Sequence, residues 1–117
     1  MKLIHDCVRD VMLFVEENLK NDGKTLNAAN IKVKHNSEDI LYTCEKLGEA
    51  NFLNIRQDIL GNVIIISMTY NGHVFLDTIR DNNIWKKTKS CISKLTSVSL
   101  PMLQQVASSQ ILKELGI

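Results

Sequence analysis

The sequence has no long hydrophobic run, almost no net charge and few cysteines, and each shortage narrows what the chain can be. Its longest apolar stretch, Ile59 to Met68, is interrupted by Gly61, Asn62 and Ser67. A membrane-spanning helix needs roughly 20 apolar residues. The N-terminus sets Lys2, His5, Asp6, Arg9 and Asp10 where a secretory signal would need an apolar segment. A formal net charge of +1 supplies no overall field toward nucleic acid, so a basic site has to come from local clustering. Cys7, Cys44 and Cys91 are odd in number, far apart and lack C-x-x-C spacing, which argues against a disulfide framework and a zinc ribbon. The expectation is a reduced, cytoplasmic protein with no membrane segment.

What is present suffices for one core. The 117 residues are 44% hydrophobic and 23% charged, without internal repeats, low-complexity tracts or a linker. A single domain over residues 1–117 is expected. Leu3 to Lys20 reads as an amphipathic helix, with Ile4, Cys7, Val8, Val11, Met12, Val15 and Leu19 on one half of the wheel. Asn21-Asp22-Gly23 supplies its stop. Leu26 to Val33 is ambiguous, although Ile31-Lys32-Val33-Lys34 alternates like a short edge strand. Asn36 or Ser37 caps a second helix whose buried stripe is Ile40, Leu41, Cys44 and Leu47. Asn51 suits the left-handed position that ends it.

From Phe52 the pattern switches to strands. Phe52 to Ile59 and Val63 to Met68 flank a Leu60-Gly61-Asn62 turn, and this hairpin is the strongest local signal in the chain. Thr69 caps a third helix burying Val74, Phe75, Leu76 and Ile79. Asn82-Asn83 starts a fourth, with Ile84, Trp85, Thr88, Cys91, Ile92 and Leu95 inside. Ser99, with Pro101 in the first turn, opens a last helix to Leu115. The order of helix, short strand, helix, hairpin and further helices predicts an α+β fold. Its arrangement is that of a winged helix-turn-helix with a small β-hairpin wing and additional C-terminal helices.

Two stretches go beyond pattern. Leu41 to Leu53 resembles the recognition-helix ending of many bacterial winged helices, with Asn51 where glycine is usual. The segment from Met68 to Lys89 contains Thr69, Gly72-His73, Phe75-Leu76-Asp77, Ile79-Arg80-Asp81, Trp85 and Lys89. It resembles an uncharacterised family of small proteins frequent in prophages and other mobile elements of bacteria. That resemblance implies a winged-helix-like fold and a phage or prophage setting. The family has no established activity, so no catalytic residue is carried over.

The helix before the wing would enter the major groove in an ordinary winged helix. Its outward face here is Glu38, Asp39, Tyr42, Thr43, Glu45, Lys46 and Glu49, four acids against one lysine, which phosphates repel. Two binding readings therefore compete. A DNA-binding regulator would use Lys32, Lys34, Arg56, Lys86, Lys87, Lys89 and Lys94. A protein–protein adaptor or inhibitor would engage a host or phage protein through Glu38, Tyr42, Glu45 and Glu49. His73, Asp77 and Arg80 share one helical face at i, i+4 and i+7 and read as a surface ion-pair network or a partner contact. His5 and His35 show no recognisable ligand spacing, and no nucleophile, phosphate-loop or paired-carboxylate motif is present. The expectation is binding without catalysis, cofactor or metal. The last helix and Leu13 are the candidate homodimer contact.

Overall fold

Ile4 has extended backbone (φ −99°, ψ 114°), and from His5 to Asn18 the chain winds into helix α1. The computed structural model describes residues 1–117. The helix ends two residues before the expected Lys20, with Leu19 extended and its N–H bonded to the Val15 carbonyl. Its last turn, Glu16 to Asn18, contributes no buried side chain, and helical stability comes mostly from a packed face. The chain reverses after the helix at Gly23, whose φ of +81° an L side chain would resist.

The ambiguous segment resolves into two short pieces. Leu26–Asn27 forms strand β1, and Ala28–Asn30 forms a 3-10 turn capped by the Asn27 side chain. The expected edge strand at Ile31 to Lys34 is not formed. Ile31 is buried, Lys32 and Lys34 are exposed, and these residues loop toward the next helix. Helix α2 spans Ser37–Glu49, with Asn36 as N-cap accepting from the Asp39 N–H. It ends in the left-handed conformation at Asn51 (φ 63°), as its sequence predicts.

Strands β2 (Leu53–Gln57) and β3 (Val63–Met68) follow as an antiparallel hairpin. β1 pairs with the other edge of β3, giving a three-stranded sheet in the order β1-β3-β2. Between Asn54 and Ile55 the register slips: Asn54 pairs with Ser67 and Ile55 with Ile65, so Ile66 is a bulge and is left half in solvent. β2 stops at Gln57, two residues before the expected Ile59. Asp58 folds the chain back earlier by accepting from the N–H groups of Leu60 and Asn62, each at 2.9 Å.

Three helices complete the chain: α3 (Tyr70–Ile79), α4 (Asn82–Ile92) and α5 (Leu100–Glu114). The cap of α4 is Asp81, whose carboxylate accepts from the Ile84 N–H, one residue earlier than expected. Ser99 caps α5 as its sequence predicts. The fold is α+β, with five helices and one small antiparallel sheet.

The chain groups into two compact units, Met1–His73 and Val74–Ile117, with α3 beginning in the first and ending in the second. In the first, Cys7, Val8, Val11, Met12 and Val15 of α1 are fully buried, with Ile40, Cys44 and Leu47 of α2 and Val63 to Ile65 of β3. In the second, α4 packs along α5 and buries Ile84, Trp85, Ile92, Leu100, Leu103 and Ala107. Helical period misplaced several side chains. Leu41 is 42% exposed, Leu95 60%, and Cys91 is exposed, whereas Thr43 is buried. Each misplaced residue lies at the margin of an apolar stripe, where the neighbouring element decides what is covered.

Candidate functional site

The helix that would read DNA in a winged helix has an exposed stripe of Glu38, Leu41, Glu45 and Glu49. These residues recur at i, i+3, i+7 and i+11, so they share one face of α2. Glu38, Leu41 and Glu49 are exposed and Glu45 is half-buried. Lys46 is taken up within the helix. Its ammonium is 2.9 Å from Glu49, and that hydrogen bond raises its pKa above the ordinary lysine value. One expected member of the outward face turns in: Thr43 is buried with its hydroxyl 3.4 Å from the Cys7 sulfur. Tyr42 stays half-exposed at the surface, donating to the Met1 carbonyl at 3.3 Å.

Beside this stripe stands the hairpin turn. Ile59 is 102% exposed and Leu60 83%, the two most exposed aliphatic side chains within an internal turn of the chain. The turn is held rigidly. Asp58 Oδ1 accepts two backbone N–H groups, Oδ2 accepts the Asn62 amide at 3.0 Å, and Gly61 N–H returns to the Asp58 carbonyl. Those hydrogen bonds, the Asn62 side chain first, hold the Asp58 carboxyl below its ordinary pKa, so it remains an anion. A groove of about 250 Å³ joins turn and helix, lined by Ala28, Ala29, Ile31, Glu38, Leu41 and Gly61 among others.

The basic candidates are more scattered. Lys32 and Lys34 are exposed in the loop after the 3-10 turn, and Lys34 lines a shallow groove beside Asp10, Leu13, Phe14 and Glu17. Arg56 is exposed on β2. In the second unit the expected lysine stripe of α4 is partly occupied. Lys87 is bonded to Glu114 at 2.7 Å, and Lys89 lies half-buried with its ammonium 5.9 Å from the centre of the Trp85 ring. Lys86 is exposed, and so is Lys94, which lies past the end of α4 at Ile92 rather than on its outer face.

The face carrying His73, Asp77 and Arg80 is only partly a network. Arg80 donates to Asp77 at 3.1 Å, whereas His73 lines a cleft of about 280 Å³ with Val15, Glu16, Lys20, Ile66 and Ser67. One histidine contact was missed in the sequence: His35 Nε2 lies 2.8 Å from Asp10 Oδ2. No three His, Cys, Asp or Glu side chains gather into a group that could hold a metal ion. No helix is long and apolar enough to cross a membrane.

The cysteines divide by environment. Burial pushes the Cys44 thiol up to about 12 and raises that of Cys7, against the hydrogen bond from Thr43. Neither is ionised at neutral pH, so neither is a nucleophile. Cys91 is exposed, with its sulfur 3.2 Å from the Gln110 amide nitrogen.

A family model described as "Hypothetical protein (DUF2513)" matches residues 2–99, which hold the α2 stripe, the hairpin and the Thr69-to-Lys89 motif. An "Uncharacterized protein" of Haemophilus influenzae (strain ATCC 51907 / DSM 11121 / KW20 / Rd) is 29% identical over 113 residues, covering 93% of this chain and 94% of its own. No solved structure matches the chain. With its first four helices and its whole sheet inside the matched residues, the chain belongs to the DUF2513 family of hypothetical proteins.

Proposed function

We propose that this is a winged-helix-like, non-catalytic binding protein whose ligand is another protein, engaged through α2 and the hairpin. The observation that carries the reading is the α2 stripe, in which Leu41 stands exposed among Glu38, Glu45 and Glu49. A helix meeting DNA must neutralise phosphates, and carboxylates at that position oppose binding. A leucine ringed by acids is instead the composition of an interface with an apolar centre and a charged rim. The order helix, strand, helix, hairpin and the β1-β3-β2 sheet support the winged-helix architecture. The Thr69-to-Lys89 motif supports a phage or prophage setting, in which the partner is a host or phage protein.

The rival reading, a DNA-binding regulator, rests on the lysines. Two of the three on α4 are engaged by Glu114 and Trp85, which leaves less charge for phosphates. Fluorescence anisotropy with labelled duplex and single-stranded DNA at physiological salt separates the two. Protein binding expects no affinity tighter than the weakest non-specific range, about 10⁻⁴ M. Saturable DNA binding that disappears on changing Lys86, Lys87 and Lys89 together to glutamate overturns it.

A further inference from the structure

We infer that the hairpin tip and the groove at its base form a docking surface for a basic amphipathic helix of a partner protein. The inference rests on the protein-binding reading and names the chemistry of its partner.

Turns are ordinarily built from glycine, asparagine, aspartate and serine, and this one has Asp58, Gly61 and Asn62 in the expected roles. The two residues between them, Ile59 and Leu60, contribute nothing to the turn's hydrogen bonds through their side chains and point into solvent. Because Asp58 fixes the backbone around them, these aliphatic groups are presented without the ordering cost of a loose loop. Such preorganisation favours binding. Behind them the groove adds Ala28, Ala29, Ile31 and Leu41, so knob and recess adjoin. At about 250 Å³ it is smaller than the usual range for drug-sized ligands, roughly 300–1,000 Å³, and suits individual side chains.

Charge selects the occupant. Glu38 lines the groove, Glu45 lies one turn past Leu41 on the same face of α2, and Asp58 sits under the tip as an anion with Arg56 the one cation acting on it. No lysine or arginine lines the groove. A nucleic acid or an anionic membrane meets like charge here, and a second copy would bring the same acids face to face. A segment with aliphatic side chains and flanking lysines or arginines fits both features. It also fits better as a helix than as an added strand. β1 has only two residues, and the exposed edge strand β2 is only five residues long and bears Arg56.

The test is selection of a yeast-displayed library of random peptides about 16 residues long, some four helical turns, on the folded full chain. Enriched peptides should combine lysine or arginine with aliphatic residues at helical spacing. For such a peptide, changing Ile59 and Leu60 together to serine should weaken binding at least about thirtyfold, the effect of a hot-spot residue. Both side chains are outside the core, so the melting temperature should not move. Asp58→Ala, which loosens the turn and removes one anion at its base, should also weaken the same peptide, and unchanged binding of this variant counts against the preorganised tip. Enrichment of acidic peptides, no enrichment, or binding indifferent to the Ile59/Leu60 change each overturns the inference. Binding instead to phosphatidylcholine vesicles through Ile59 and Leu60 also overturns it. If reversal of Glu38 and Glu45 to lysine abolishes binding while the Ile59/Leu60 change does not, the hairpin inference falls and the reading of α2 stands. DNA binding through the α4 lysines removes the reading itself.

Discussion

His35 Nε2 lies 2.8 Å from Asp10 Oδ2, tying the loop after the 3-10 turn to the middle of α1. The histidine side chain is 16% exposed and the aspartate 38%, so the pair is half in water. Solvent screening keeps such a pair weak. A double-mutant cycle with His35→Ala and Asp10→Ala should give a coupling of about 0.5 kcal/mol, shrinking in high salt. The larger effect should be local. Without the tie, hydrogen exchange of the amides from Lys32 to Asn36 should accelerate, and unchanged protection would show that Ile31 alone anchors the loop.

Gly72 and Gly48 make a second comparison. A Cβ at Gly72 would run into the Phe52 backbone carbonyl, which already accepts from the Thr69 N–H at 3.0 Å and cannot yield. At Gly48 the obstacle is side chain rather than backbone, the Cδ1 and Cγ1 of Ile55, which yield only if that residue turns about χ1. Gly72→Ala should therefore cost about 3 kcal/mol through overpacking. Gly48→Ala should cost less, about 1–2 kcal/mol, since Ile55 can repack and the gain in helix propensity offsets part of the clash. Urea denaturation of both variants checks the ordering, and equal losses would contradict the contact at Phe52.

Thr88 is fully buried on α4 and its hydroxyl makes no hydrogen bond. An unmade bond leaves only the cost of desolvating the oxygen. Thr88→Val keeps nearly the same shape and should stabilise the chain by about 1 kcal/mol. Thermal and urea unfolding measure it, and a loss of that size would mean the hydroxyl has a partner.

Thiol reactivity should follow burial. Iodoacetamide at pH 8 should modify Cys91 in the folded chain, while Cys7 and Cys44 react only on unfolding. The Cys44 shift also sets a pH dependence. Its folded value, about 12, is above the ordinary 9.0 because burial disfavours the thiolate. The folded state thus binds the proton more tightly than the unfolded state does. The contribution is complete below pH 9.0 and is lost as pH rises toward 12. Cys44→Ala should flatten the fall in stability over that range. Identical slopes for both proteins would contradict the assignment.

What the sequence made legible was local. Asn36, Asn51, Thr69 and Ser99 act at helix ends through atoms within a few residues, so their chemistry identifies them directly. β1 was not legible, because two residues have no period and the strand exists only by pairing Leu26 with Ile65 and Asn27 with Ile64. The docking face was missed for a related reason. Hydrophobicity extended the second strand through Ile59, but the turn hydrogen bonds of Asp58 overrode it and put Ile59 in solvent. The Asp58-x-x-Gly61-Asn62 spacing was the available signal. His35 and Asp10 meet only through tertiary packing, and no spacing announces them.

The charge on α2 is the part of the sequence reading that matters most for function, and it can be tested where it acts. Amide chemical shifts of the folded chain, followed while a selected basic peptide is titrated in, give the footprint of the partner directly. Docking at α2 and the hairpin requires the largest changes at Ala29, Glu38, Leu41, Leu60 and Gly61, all saturating with one Kd. Changes confined to Lys86, the rest of α4 and Lys94 just beyond it, with α2 and the hairpin silent, would contradict it.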